Sequence, residues 1–171
     1  MKWVPGRRTA PYADPMTRWL DEDELQAWLK LAGVMLKLAP TLDSQLQRDS
    51  DLTHFDYLCL AMLSESDDRT LRMSELAARV NASLSRLSHV VSKLEKRGMV
   101  ARRPSPDSRR VTLATLTEDG WTTLVAAAPG HVETVRALVF DGLSPEDVAA
   151  LHRIAGHIVD RIEASRLEST C

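Results

Sequence analysis

The segment between residues 74 and 115 constrains the chain most, because its apolar period changes there and each change is marked by residues suited to one backbone conformation. Ser74 is placed to cap a short helix over 75–80, with Leu76, Ala77 and Val80 buried. Asn81-Ala82-Ser83 then supplies a tight turn: Asn tolerates the left-handed region, and Ser83 is a good N-cap. A second helix carries Leu84, Leu87, Val90, Val91 and Leu94 at helical spacing and stops at Gly98, apt for a left-handed C-cap. Residues 99–102 read as a short strand and Pro104-Ser105-Pro106-Asp107-Ser108 as a turn-rich tip. Val111, Leu113 and Thr115 alternate with Thr112 and Ala114, as a half-buried return strand does. Helix, turn, helix, hairpin is the order of a winged helix-turn-helix.

The flanks are helical. Asp21 stands three residues before Glu24, and Leu25, Trp28, Leu29, Ala32, Met35, Leu36, Ala39, Leu42 and Leu46 follow at helical spacing; Pro40 is expected to kink or split that helix. Thr53 with Asp56 makes a second capping box, followed by Phe55, Leu58, Cys59, Met62 and Leu63 on one stripe. Past Thr117, Trp121, Leu124, Val125 and Ala128 share a face, Pro129-Gly130 is expected to interrupt it, and Val132, Val135, Leu138 and Val139 continue. Ser144-Pro145-Glu146-Asp147 opens a last helix with Val148, Leu151, Ile154, Ala155, Ile158 and Ile162 inward. The Pro-rich start (Pro5, Pro11, Pro15) reads as an arm.

The charge is concentrated. Over residues 84–110 eight basic residues meet two acids, Glu95 and Asp107, a local net of +6 in a chain that totals −2. A polyanion-binding surface on an otherwise acidic body fits this, and a helix of this kind enters the major groove of B-DNA. The outward set is Ser85, Arg86, Ser88, His89, Ser92 and Lys93. Ser85, Arg86, Ser88 and His89, with Ser83 at the cap, are placed toward the bases, and Lys93, Lys96 and Arg97 toward phosphates. Arg109 or Arg110 at the hairpin tip is placed for the minor groove, oriented by Asp107.

These pieces together resemble the MarR (multiple antibiotic resistance regulator) family. The resemblance rests on Leu52-Thr53 with Tyr57 and Leu60, Ser74-Glu75-Leu76-Ala77, Ser92-Lys93-Leu94-Glu95-Lys96-Arg97-Gly98, Asp107-x-Arg109, and Leu116-Thr117-x-x-Gly120. Two departures stand out. His89 occupies a position where the family often has arginine, and the stretch from Asp107 to Thr117 is one residue longer than the common wing. Counting from either end selects Arg109 or Arg110, and both are carried.

The resemblance implies a mainly α fold with a small β-hairpin wing: an arm (1–20), a dimerisation helix (21–51), the DNA-binding lobe (52–120) and C-terminal dimerisation helices (121–171), one compact domain overall. It further implies a homodimeric repressor on a pseudo-palindromic double-stranded operator, released by a small aromatic or phenolic effector. Trp19, Trp28, His54, Phe55 and Leu58 are the candidate effector contacts, although Trp28, Phe55 and Leu58 at helical spacing more often belong to a core. Some members of the family respond to oxidants through cysteine, but Cys59 on a buried stripe is expected to be inert.

Other classes find less support. Apolar residues make up 44% of the 171, enough for a real core, yet no run is long enough for a membrane span. No secretory signal precedes the fold, which makes the cytoplasm the expected compartment, and Cys59 with Cys171 cannot form a disulfide framework. His152 and His157 are about 140° apart on a helix, so they share no metal-binding face. No phosphate-binding loop, nucleophile elbow or cofactor motif suggests an enzyme. The alternative to DNA binding is a winged-helix module with its basic face on an acidic protein partner.

Overall fold

The computed structural model describes residues 17–168, with the side chains of Arg109 and residues 166–168 outside that description. The proline-rich arm up to residue 16 and Cys171 therefore lie outside the described residues. Helix α1 (Glu22–Ser50) is opened by a reciprocal box in which Glu24 N–H donates to Asp21 Oδ1 (2.8 Å) and Asp21 N–H to Glu24 Oε2 (3.0 Å). It continues through Pro40 without a split. The chain forms two compact units, one ending at Thr41 and one beginning at Leu42.

In the unit that ends at Thr41, Leu25 of the expected inward stripe is buried and Ala32 half-buried, while most of the larger side chains lie open. Trp28, Leu29, Val34 and Met35 are exposed, and Leu36 retains 76% of its surface. The spacing is helical as expected.

The second unit holds the main core. Helix α2 (His54–Ser64) starts at the Thr53–Asp56 capping box, with both reciprocal bonds at 3.0 Å. A three-residue strand β1 (Thr70–Arg72) follows and was not expected from the sequence; it is too short to show a period of its own. Helix α3 (Met73–Arg79) begins two residues earlier than expected: Arg72 is the N-cap, and Ser74 lies inside the helix with no capping role. Asn81 takes φ 51° and Ser83 Oγ accepts from Arg86 N–H (3.2 Å), so the turn into α4 (Leu84–Lys96) forms as its residues dictate. Gly98, at φ 75°, turns the chain out of the helix. On α4 the buried stripe is Leu87, Val91 and Leu94, with Val90 half-buried; Leu84, expected inward, is exposed.

Strands β2 (Val100–Ser105) and β3 (Ser108–Leu116) pair antiparallel, and β1 adds to the other side of β3, giving a three-stranded sheet in place of a bare hairpin. The tip is only Pro106-Asp107, because Pro104 and Ser105 belong to β2. Pro104 is tolerated since β2 is an edge strand and the register shifts beside it: Pro104 pairs Thr112, whereas Ser105 pairs Ser108. Along β3 the buried positions are Ala114 and Leu116, with Val111, Leu113 and Thr115 half-buried and Thr112 exposed, so the expected alternation does not keep one buried face along the whole strand.

Helix α5 (Glu118–Val135) starts at Thr117, whose Oγ1 accepts from Gly120 N–H (3.0 Å) and donates to Gly98 O (2.6 Å). Gly120 lies so close to the Met99 carbonyl that a Cβ would collide with it, which gives the Thr117-x-x-Gly120 spacing its reason. The expected break at Pro129-Gly130 is absent. The helix runs on, held by Leu124, Ala127 and His131 on its buried side, and the irregularity is instead a π turn at Arg136–Phe140. Helix α6 (Pro145–Glu168) begins at a Ser144–Asp147 box. Its stripe is exposed, with Ile154 at 49%. No helix among the described residues is long and apolar enough to cross a membrane.

The core of the lobe joins Leu46 and Leu52 to Leu60, Leu63, Leu76, Leu87, Val91, Leu94, Val100 and Leu116, and Leu124 and Ala127 of α5 close it. This cluster fixes the orientation of α4 against α2, α3 and the sheet.

Candidate nucleic-acid interface

Burying Leu87, Val91 and Leu94 divides the rest of α4 into two flanks and an outermost line. The outermost line carries Ser85, His89 and Lys96, all exposed, with Ser92 half-buried beside them. One flank, through Leu84, Ser88 and Glu95, turns toward the wing. There Glu95 holds Arg102 at two points (2.9 and 2.6 Å) and also accepts the Arg102 backbone N–H (3.1 Å). The Arg102 hydrogen bonds hold the Glu95 carboxyl below its usual range. Between this flank, the start of α3 and β3 lies a cleft of about 260 Å3 whose lining includes Met73, Ser74, Ser88, Arg110 and Thr112.

The other flank, through Arg86, Lys93 and Arg97, faces α2 and the end of α1, and its cations have partners. The Arg86 guanidinium sits over the Phe55 ring, 4.5 Å from the centroid. Lys93 Nζ donates to Asp56 Oδ2 at 3.0 Å; Asp56 is 1% exposed, and a buried carboxylate needs a counter-charge. Arg97 donates to the Asp51 carbonyl (2.8 Å) and carboxylate (3.2 Å). Lys93 and Arg97, read from sequence as phosphate contacts, are thus engaged within the protein. The acids that hold them sit in another part of the chain, which the basic run alone does not reveal.

On the wing, Arg110 is exposed, and Asp107 is exposed with its N–H donating to Ser105 Oγ (3.4 Å). Among the described residues the Asp107 carboxylate does not pair with Arg110. The Arg109 side chain lies outside the description. Lys96, Arg103 and Arg110 make no side-chain ion pair among the described residues, and Arg103 joins them as an exposed cation not singled out from sequence.

The candidate effector residues fall on both units. Trp19 and Trp28 are exposed on the unit ending at Thr41. Phe55 and Leu58 pack half-buried against the core of the lobe, and none of the five lines the cleft beside the wing. His54 belongs to a cluster that sequence spacing did not disclose: its ring lies 5.5 Å from His131, whose ring is 4.3 Å from Tyr57 and whose Nδ1 is 3.4 Å from Gln45 Oε1. His131, which stands alone in the sequence, is in fact packed by residues of α1 and α2. Burial lowers both imidazoles below their ordinary range; Asp43 opposes this at His54, whereas His54 adds to it at His131. Cys59 is buried, and its thiol is pushed up to about 12, chiefly by desolvation, with Asp56 adding and Arg86 opposing. It remains protonated and unreactive near neutral pH.

A family model described as MarR family matches residues 52–112, from the start of α2 to the wing. The chain is 42% identical to Sco3205, a regulator of Streptomyces coelicolor whose crystal structure is in complex with DNA; the match covers 84% of this chain and 91% of that one, with a TM-score of 0.82. AbsC of the same organism is 38% identical over 86% of this chain and 99% of its own, also at a TM-score of 0.82. The transcriptional repressor YetL of Bacillus subtilis is 24% identical over 84% of each chain. With identity of this extent over more than four-fifths of its length, and with a matching fold, the chain belongs to the MarR family of transcriptional regulators.

Proposed function

We propose that the protein is a homodimeric repressor that binds an inverted-repeat operator in the cytoplasm and is released by a small aromatic or phenolic effector. The observation that carries the DNA reading is the outermost line of α4, where Ser85, His89 and Lys96 stand exposed while Lys93, Glu95 and Arg97 beside it are tied into the protein. Ser83, Ser85, Arg86, Ser88 and His89 belong to the end of α4 that approaches base edges in the major groove. Lys96, Arg103 and Arg110 supply cations for phosphates, and the hydroxyls and arginine of the cleft beside the wing suit a backbone phosphate. Arg109 or Arg110 enters the minor groove. Lys93 and Arg97 contribute by fixing the helix.

Residues 21–51 and 121–171 serve as dimerisation helices, on either side of the 52–120 lobe in the sequence. The exposed apolar stripes of α1 and α6 support this, since a second copy covers both. The effector contacts are His54, Phe55 and Leu58 in the lobe, with Trp19 and Trp28 as exposed aromatic surfaces.

The test is selection of bound sequences from a random duplex library at near-physiological salt, followed by competition with a panel of aromatic acids and phenols. Enrichment of an inverted repeat, with half-sites about one helical turn apart, is the expected outcome. Retention of all duplexes alike overturns sequence-specific regulation, and a selected duplex that no member of the panel displaces overturns the effector class.

A further inference from the structure

We propose that Phe55 is a positioning residue for base recognition: its ring fixes the Arg86 guanidinium in the orientation from which α4 reads one base pair. The proposal rests on the reading that Arg86 contacts a base. An exposed arginine has many rotamers, and ordering its side chain at the moment of binding costs affinity and blurs discrimination. Here the guanidinium carbon is already 4.5 Å from the centroid of the Phe55 ring. A stacked guanidinium uses only its face, so the contact leaves its in-plane N–H donors available for bidentate hydrogen bonding to a base edge.

The ring is itself well held. Phe55 packs against the core of the lobe, one residue past the start of α2, inside the Thr53–Asp56 capping box. Its neighbour Asp56 reaches the same flank of α4 through Lys93, two helical turns from Arg86. Consecutive residues of α2 therefore fix two cations of the recognition helix, one through a ring face and one through a carboxylate. The Lys93 contact sets the helix, and the Phe55 contact sets the side chain that reads.

The experiment measures the affinity of wild type, Phe55→Leu, Phe55→Tyr, Arg86→Ala and the Phe55→Leu/Arg86→Ala double variant. The probes are the duplex selected by the wild type from a random library and each single base-pair change of it. Arg86→Ala is expected to lose roughly tenfold discrimination at one or two positions. Phe55→Leu is expected to lose about two- to fivefold at those same positions while affinity for an unrelated duplex is unchanged. Phe55→Tyr, which keeps the ring face, retains wild-type discrimination, and Phe55→Leu adds nothing in the Arg86→Ala background. Should Phe55→Leu fail to fold by thermal melting, Phe55→Met fills the space without a flat face and takes its place. If Arg86→Ala relaxes a position that Phe55→Leu leaves sharp, base reading stands and positioning falls. If Arg86→Ala relaxes no position, base reading falls and positioning falls with it. Equal weakening of every duplex by Phe55→Leu also overturns the proposal, by assigning the ring to folding alone.

Discussion

At the scale of single residues, the basic segment of 84–110 separates by partner more than by charge. Lys93 and Lys96 are three apart on α4, yet one answers a buried carboxylate and the other stands in solvent. Their substitutions therefore have opposite signatures. Lys93→Met leaves the Asp56 carboxylate buried without its cation and is expected to cost about 2 kcal/mol of stability. In denaturant titration its midpoint falls, while the dependence of DNA affinity on salt keeps its slope. Lys96→Ala is expected to leave stability unchanged, to weaken all duplexes alike and to reduce the salt slope by about one. If Lys93→Met also lowers the slope, its ion pair with Asp56 opens on DNA and the internal assignment is wrong. The sequence shows that positive charge is gathered here. It does not show which charge is spent internally, because Asp51 and Asp56 lie far back in the chain and only the packing of α2 on α4 brings them close.

At the scale of elements, what was legible is what is local. The boxes at Asp21–Glu24, Thr53–Asp56 and Ser144–Asp147, the left-handed Asn81 and the Gly98 exit all depend on residues within a turn of one another, and all form. What was not legible depends on distant partners. Strand β1 exists because Leu71 pairs Ala114 across the sheet, and α5 passes through Pro129 because packing on both sides of it favours continuation. The junction of His54, His131, Tyr57 and Gln45 is of the same kind, joining α1, α2 and α5, and it carries a pH dependence. Both imidazoles titrate below the ordinary value of 6.5 in the folded protein, so the unfolded chain binds the more protons just below that pH. Their contribution to stability is complete above 6.5 and is lost as pH falls through the folded values. Asp43 opposes the shift at His54, whereas no such carboxylate is named at His131. Denaturant midpoints are expected to fall between pH 7.5 and 5.5 in the wild type and to fall less in His131→Gln. Glu95 does not confuse the result, because a carboxyl held low acts below its ordinary 4.5. Equal slopes in the two proteins would exclude the junction as the source.

At the scale of the whole molecule, the two classes of surface carry different demands. The lobe closes its own core: Leu46, Leu52, Leu60, Leu63, Leu76, Leu87 and Leu94 are fully buried in one copy. Helix α6 has no such cover, although Leu151, Ile154 and Ile162 repeat at core spacing, and exposed apolar stripes of this length mark an interface. If a second copy supplies the cover, then charge placed on the stripe acts on assembly and leaves the lobe folded. Leu151→Glu with Ile154→Glu is expected to shift the protein from dimer to monomer by light scattering, while the lobe keeps a cooperative melt. Affinity for a two-half-site duplex is then expected to fall by about a hundredfold or more, because the second half-site is no longer held at high effective concentration. Affinity for a single half-site should barely move, since Ser85, Arg86 and His89 belong to α4, away from the altered face. A variant that stays dimeric would place the interface elsewhere. One that becomes monomeric yet binds both duplexes as the wild type does would show that each lobe reads DNA alone.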